Sequence, residues 1–237
     1  MRAVASGGQG RYGSAYSDLA VLRRSVGARR LVSLAHSTQA SFLRQLGWHT
    51  LARRWDGRAL ALAGTDPEAR ADALIGLAAD ALGIGRLAAA ATLLTRADLV
   101  LVSAVVPDRV AVRRQWVAAE LAMAAGEGAI AVRHAEKAVQ LAQAMEVASA
   151  RHRVKSDVVL AAALCSAGDT ERARAVAQTA LDATGQFGLI PLRWALACLL
   201  IDTGSVTFAA QQLRELTEIR DICAGQVRHA GGSWRTA

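Results

Sequence analysis

Five glycines, Gly47, Gly85, Gly126, Gly168 and Gly204, are each followed five residues later by an alanine: Ala52, Ala90, Ala131, Ala173 and Ala209. Seven residues before each glycine stands another alanine: Ala40, Ala78, Ala119, Ala161 and Ala197. Twelve residues after it stand Ala59, Ala97, Ala138 and Ala180, with Leu216 as the exception. The glycines are 38, 41, 42 and 36 residues apart. Columns in register at such a spacing indicate a stacked supersecondary unit, which cannot bury its apolar face alone. Few other architectures accommodate them.

Each column has a physical role. A glycine after a helix supplies the left-handed residue that ends it. A short polar step, Asp169-Thr170 or Ser205, then caps the next helix. Small residues before and after the turn lie where two antiparallel helices cross. Larger residues between them, such as Leu74, Leu77, Leu160 and Leu164, recur at helical spacing and form the buried stripe. Composition agrees: aromatics are 4% of 237 residues, and the apolar excess is mostly Ala and Leu. Pro67, Pro107 and Pro191 are far enough apart to leave room for long helices.

This pattern resembles the tetratricopeptide repeat, TPR, over residues 31 to 222. The resemblance departs in three ways: Leu or Ala replaces the first-helix aromatic, the terminal proline is displaced or missing, and the period exceeds ~34 residues. It implies an all-α solenoid of about five antiparallel hairpins wound as a right-handed superhelix. Residues 1–13 are expected to be a flexible Gly/Ser-rich arm, 14–30 a basic helix, 31–225 the repeat domain and 226–237 a flexible tail.

Motifs for chemistry are weak. "GQGRYG", residues 8–13, spells G-x-G-x-x-G, but no strand precedes it and no acid follows between Asp18 and Asp56 to hold a ribose. It reads as an arm rather than a nucleotide cradle. The five histidines include no pair at helical ligand spacing. Cys165, Cys198 and Cys223 are isolated, odd in number, and read as reduced thiols. Acid pairs such as Asp66/Glu68 and Asp169/Glu171 fall at expected helix starts, where they favour the dipole. No catalytic residue, cofactor or metal site is expected, and the chain reads as no enzyme. Without an apolar leader, and with apolar runs well under ~20 residues, it reads as a soluble cytoplasmic protein with no membrane span.

In the TPR resemblance, the concave groove takes residues ten, six and three before each turn glycine. Those sites, with flanking charges, give Ser37, Ser41, Arg44, Ile75, Arg113, Trp116, Glu120, Met123, Lys155, Trp194 and Cys198. Ser37 and Ser41 stand where a carboxylate clamp would begin, so the resemblance implies a peptide or protein ligand without that clamp. Trp116 and Trp194 occupy one column and either face the groove or fill space between helices. Charge marks a second surface. Residues 1–60 hold ten Arg and two Asp, whereas 61–237 balance at 18 basic and 18 acidic residues. Arg23, Arg24, Arg29, Arg30, Arg53 and Arg54 form a candidate basic patch for nucleic acid, anionic lipid or an acidic protein. The arginine preference over lysine suits a GC-rich, bacterial coding sequence. The leading expectation is a protein-interaction scaffold; the alternative is a regulatory or nucleic-acid-associated module, of the kind that forms the sensor half of bacterial transcription regulators. The stripe Leu213, Leu216, Ile219 and Ile222 is expected to dock on its own repeat or on a second copy, giving a homo-oligomer.

Overall fold

The computed structural model describes residues 2–25, 27–204 and 208–235. Among them the chain forms twelve helices and no strand: α1 Arg2–Gly8, α2 Tyr12–Arg23, α3 Arg29–Gln45, α4 His49–Ala63, α5 Pro67–Gly83 and α6 Leu87–Ser103. There follow α7 Asp108–Ala124, α8 Gly128–Ala144, α9 Ala150–Ser166, α10 Thr170–Phe187, α11 Ile190–Gly204 and α12 Ala210–His229. Helices α3 to α12 pair as five hairpins. Each first helix also packs on the next first helix, α3 on α5, α5 on α7, α7 on α9 and α9 on α11.

The first four turns are built alike. Gly47, Gly85, Gly126 and Gly168 take φ between +76° and +89°, where a side chain is strained. The residue after each donates its N–H to a carbonyl five residues back, as Trp48 does to Leu43 at 2.9 Å and Asp169 to Leu164 at 2.9 Å. That bond closes the helix end. Asp66 accepts from the Ala69 N–H at 2.8 Å and Asp169 from the Arg172 N–H at 3.3 Å, capping α5 and α10. Ser205 lies outside the described residues.

The alanine columns are where the helices cross. Ala40, Ala78, Ala119, Ala161 and Ala197 are fully buried, and so are Ala52, Ala90 and Ala131. A larger side chain there would force the backbones apart, costing about 1–3 kcal/mol. The fifth hairpin departs from the register. Gly204 is the last residue of α11 without positive φ, and Ala209 is an exposed N-cap. Gly204 is small because the Phe208 ring packs against it.

Both ends are packed where flexible segments were expected. The glycine-rich start forms α1, with Ala3, Ser6, Gly7, Gly8 and Gly10 buried. A Cβ on Gly7 would enter the Phe42 ring, and one on Gly8 would lie 3.1 Å from Arg151 Cδ. The expected basic helix is α2, which ends at Arg23, so Arg29 and Arg30 begin α3. At the other end α12 continues to His229, and the tail turns back at Gly231. There Gly13 N–H donates to Ala230 O at 2.8 Å, and Arg235 N–H donates to Leu46 O at 2.9 Å. Tyr12, Leu19, Phe42, Leu46 and Val227 share one cluster with Trp48, Ile190 and Trp234 beside it. The first and last hairpins therefore meet through α1, α2 and the tail. Residues 236 and 237 lie outside the described part.

In the α12 stripe, Leu216 is buried and Ile219 packs on the core formed with α11, while Ile222 is exposed. Half of the stripe, Leu216 and Ile219, thus docks on its own hairpin, while Leu213 is half-buried outside that core. No described helix is long and apolar enough to cross a membrane.

Candidate functional site

The concave side encloses a cavity of about 400 Å³. Its walls come from five successive first helices: Ser41, Arg44 and Gln45 on α3, and Ala79, Leu82 and Gly83 on α5. Helix α7 adds Arg113, Trp116, Val117 and Glu120, α9 adds Arg151, Lys155 and Val158, and α11 adds Pro191, Leu192, Trp194 and Ala195. His49, at the start of α4, completes it.

Of the candidate groove residues, the structure brings Ser41, Arg44, Arg113, Trp116, Glu120, Lys155 and Trp194 into this wall. It places four elsewhere. Ile75 is fully buried in the α5–α7 core, Ser37 is buried in α3, and Met123 packs on the α7–α9 core. Cys198 is half-buried outside the cavity. The lining positions drift. They lie two to six residues before the turn glycine in the first two hairpins, but nine to seventeen before it on α9 and α11. Each hairpin is rotated on the last, so one fixed set of offsets cannot trace the groove.

Trp116 is an interhelix residue at the cavity edge. Only 7% exposed, it donates Nε1–H to Ser156 Oγ at 2.8 Å and stacks on His152 at 5.4 Å. Burial, with Arg151, Arg113 and Arg109 nearby, pulls His152 down to about 3, so that ring is neutral at physiological pH. Trp194 is half-buried and stacks on Trp234 of the tail, with centroids 4.2 Å apart. Trp48 Nε1–H donates to Ser233 O at 2.6 Å and fixes that tail to the first hairpin.

Charge in the wall is organised as ion pairs. Arg44 reaches Asp56 at 2.8 Å, Asp80 at 2.6 Å and the Gly76 carbonyl at 3.1 Å. Asp56 Oδ1 and Asp80 Oδ2 are buried without a hydrogen-bond partner. Burial pushes Asp56 up to about 7 against the pull of Arg44, and Asp80 also moves up for the same reason. Gly76 is required here, since a Cβ would collide with the Asp56 carboxylate. Sequence reasoning missed this buried centre, although a signal existed. Asp56 stands nine residues after its turn glycine, where the next three repeats have Leu94, Ala135 and Ala177.

A second set of pairs runs between first helices. Glu68 is held by Arg30 and by Arg109, the latter at 2.6 Å, and Asp72 by Arg109 at 3.2 Å and by Arg113. Lys155 reaches Glu120 at 3.3 Å. Burial and the neighbouring Arg44 pull the Arg113 guanidinium down to about 10 even with Asp72 beside it. Arg151 has no ion-pair or hydrogen-bond partner among the described residues, and burial lowers its pKa from the ordinary arginine value. Among the described residues no cluster of His, Cys, Asp and Glu has the arrangement to hold a metal.

The candidate basic patch is divided. Arg24, Arg29, Arg53 and Arg54 are exposed, but Arg30 is committed to Asp66 and Glu68. Arg23 donates to Gln39 at 2.9 Å and lies over the Trp55 ring at 4.8 Å, with Arg58 at 5.5 Å.

No family model matches the chain, and no curated protein matches it. Two solved structures of a putative kinesin light chain from Podosopora anserina with nearly identical TPR-like repeats are similar in fold. One is a single-residue variant, with TM-score 0.53, and the other has TM-score 0.52. Each is 18% identical, and each match covers 87% of this chain and 97% of that one. The chain therefore has the fold of the TPR-like helical-repeat proteins, an all-α solenoid of stacked hairpins.

Proposed function

We propose that this protein is a non-enzymatic binding scaffold that takes a peptide segment of a partner protein on its concave side. One observation carries this reading. The cavity wall is assembled from five successive first helices, the surface on which a solenoid presents an extended binding face. The pairing of Glu68 and Asp72 with arginines supports a non-catalytic role, because guanidinium groups that hold a carboxylate in its charged form lower its basicity. Panning a displayed library of short peptides on the immobilised full chain tests it. Enrichment on the wild type that falls at least tenfold on Trp194→Ala is the expected result. Equal enrichment on both, or none on either, overturns it.

The Trp55 ring flanked by Arg23 and Arg58 favours one second reading, a regulatory module that binds nucleic acid through α2 and α4. It requires salt-sensitive binding that is lost when Arg24, Arg53, Arg54 and Arg58 are replaced by Gln. A gel shift with no retardation at low salt rejects it.

A further inference from the structure

The ion pairs between first helices follow one column of the repeat. Seventeen residues before the turn glycines stand Arg30, Glu68, Arg109 and Arg151. Thirteen residues before them stand Asp72, Arg113 and Lys155 in the second, third and fourth repeats. The sign alternates from helix to helix: basic on α3, acidic on α5, basic on α7. Each of these charges meets its opposite on the neighbouring helix. The alternation then fails. Helix α9 is basic again, and beyond it Leu189, Ile190, Pro191 and Leu192 carry no charge. Lys155 recovers a partner in Glu120. Arg151 recovers none.

The surroundings of Arg151 do not compensate it. Tyr12 faces it from α2 as a neutral phenol, its hydroxyl given to Gln45 Oε1 at 3.0 Å. Gly8 of α1 packs on its side-chain stem, His152 beside it is neutral, and Arg113 across the cavity is a like charge. A partly buried cation without a counter-charge costs stability unless something supplies one. Arg151 nevertheless lines a space of about 400 Å³ that exists with α1 and the tail already in place. That volume belongs to the range of small-molecule sites, ~300–1,000 Å³. Its apolar wall is Ala79, Leu82, Val117, Val158, Leu192 and Ala195, and the other charged side chains that line the space, Arg44, Arg113, Glu120 and Lys155, are held in ion pairs.

We infer that the cavity is a binding site for a small organic carboxylate, whose single negative charge pairs with Arg151 and whose apolar body lies against α5, α7 and α11. The inference rests on the concave side being the binding face, as in the scaffold reading, and narrows what is bound there. The carboxylate comes either from a free small acid or from the last residue of a short peptide; both present the same group to Arg151.

Calorimetry on the full chain tests it with two matched pairs of probes. Indole-3-propionate and its primary amide represent a free acid. N-acetyl-tryptophan and its amide represent a peptide end. In at least one pair the acid is expected to bind at least tenfold tighter than the amide. Arg151→Met should abolish that preference, Arg151→Lys should keep part of it, and the exposed Arg53→Met should keep all of it. Removing an uncompensated cation should leave the melting temperature of the free protein unchanged or higher. The pair that shows the preference identifies the source. Equal affinity for acid and amide overturns the inference, as does no binding of any probe at millimolar concentration. So does a preference that survives Arg151→Met, or a marked loss of melting temperature in that variant, which would make Arg151 structural. Peptide enrichment that depends on Trp194 but not on Arg151 would refute the carboxylate site and leave the scaffold reading standing. Acid binding without peptide enrichment would do the reverse.

Discussion

The indole rings of Trp194 and Trp234 lie 4.2 Å apart at their centroids with 31° between their planes, joining a first helix of the last hairpin to the C-terminal tail. The same tail receives the Trp48 Nε1–H on Ser233 O and gives the Arg235 N–H to Leu46 O. A chain of stacked hairpins ordinarily has two free ends, stabilised only by nearest neighbours. Here three residues of one strap connect them.

Trp234→Ala should loosen that connection. The ring is half-buried, so a loss of about 1–2 kcal/mol is expected, less than for a core aromatic. A deletion of residues 231–237 should cost more, because it also removes the bonds to the first hairpin. Thermal melting checks both, and faster amide exchange should appear in the first and last hairpins rather than in α7 and α8.

Gly7 admits α1 beneath Phe42. Gly7→Val should displace α1, since the added carbons would occupy the space of the Phe42 ring. Limited proteolysis should then cut within residues 2–11 at least several-fold faster than in the wild type, with the repeats intact. An unchanged cutting rate would contradict the packed position of α1.

The Asp56–Arg44–Asp80 centre should leave a mark on the pH dependence of stability. Asp56 is raised to about 7 in the folded protein, against about 3.9 when unfolded. Between those values the folded state binds more protons, so this group's contribution falls as pH rises from about 4 to 7. His36, His49, His134 and His152 are lowered by burial and contribute the opposite slope below about 6.5. Asp56→Asn isolates the pair. The variant should gain stability relative to the wild type above pH 7 and lose that advantage by pH 5, as read from urea unfolding at each pH. A constant difference across that range would mean that burial does not raise Asp56 in the folded protein.

Glu68 holds Arg30 and Arg109 from two different hairpins. Glu68→Gln leaves Arg30 with Asp66 alone and Arg109 with Asp72 alone, and should destabilise by about 1–3 kcal/mol, within the range for weakening partly buried pairs. Arg109→Met should cost less in the Glu68→Gln background than in the wild type, because the pair the two residues share is already gone. Chemical denaturation of the single and double variants measures the coupling.

Much of the fold was legible in particular residues. The left-handed glycines at 47, 85, 126 and 168 and the alanines flanking them act through local backbone sterics and helix crossing, which a linear pattern records directly. Gly204 shared the column without the conformation, because Phe208 rather than a tight turn needs the space. The lining of the candidate cavity was legible in part. Arg44, Arg113, Glu120, Lys155 and Trp194 line the cavity, but Ile75 and Ser37 fell into the core once successive hairpins rotated.

By itself, then, the sequence determined that helices form, where they turn and which small residues let them cross, since these depend on contacts a few residues apart. Tertiary structure decided the rest. It placed the glycines of "GQGRYG" as packing surfaces for Arg151, Ile190 and Val227, not as a phosphate cradle or a loose arm. It buried Asp56 against Arg44 and left Arg151 without an acid. Those outcomes depend on which groups meet across 12 to more than 180 residues of chain, as Arg44 meets Asp56 and Trp48 meets Ser233. No local period encodes that distance.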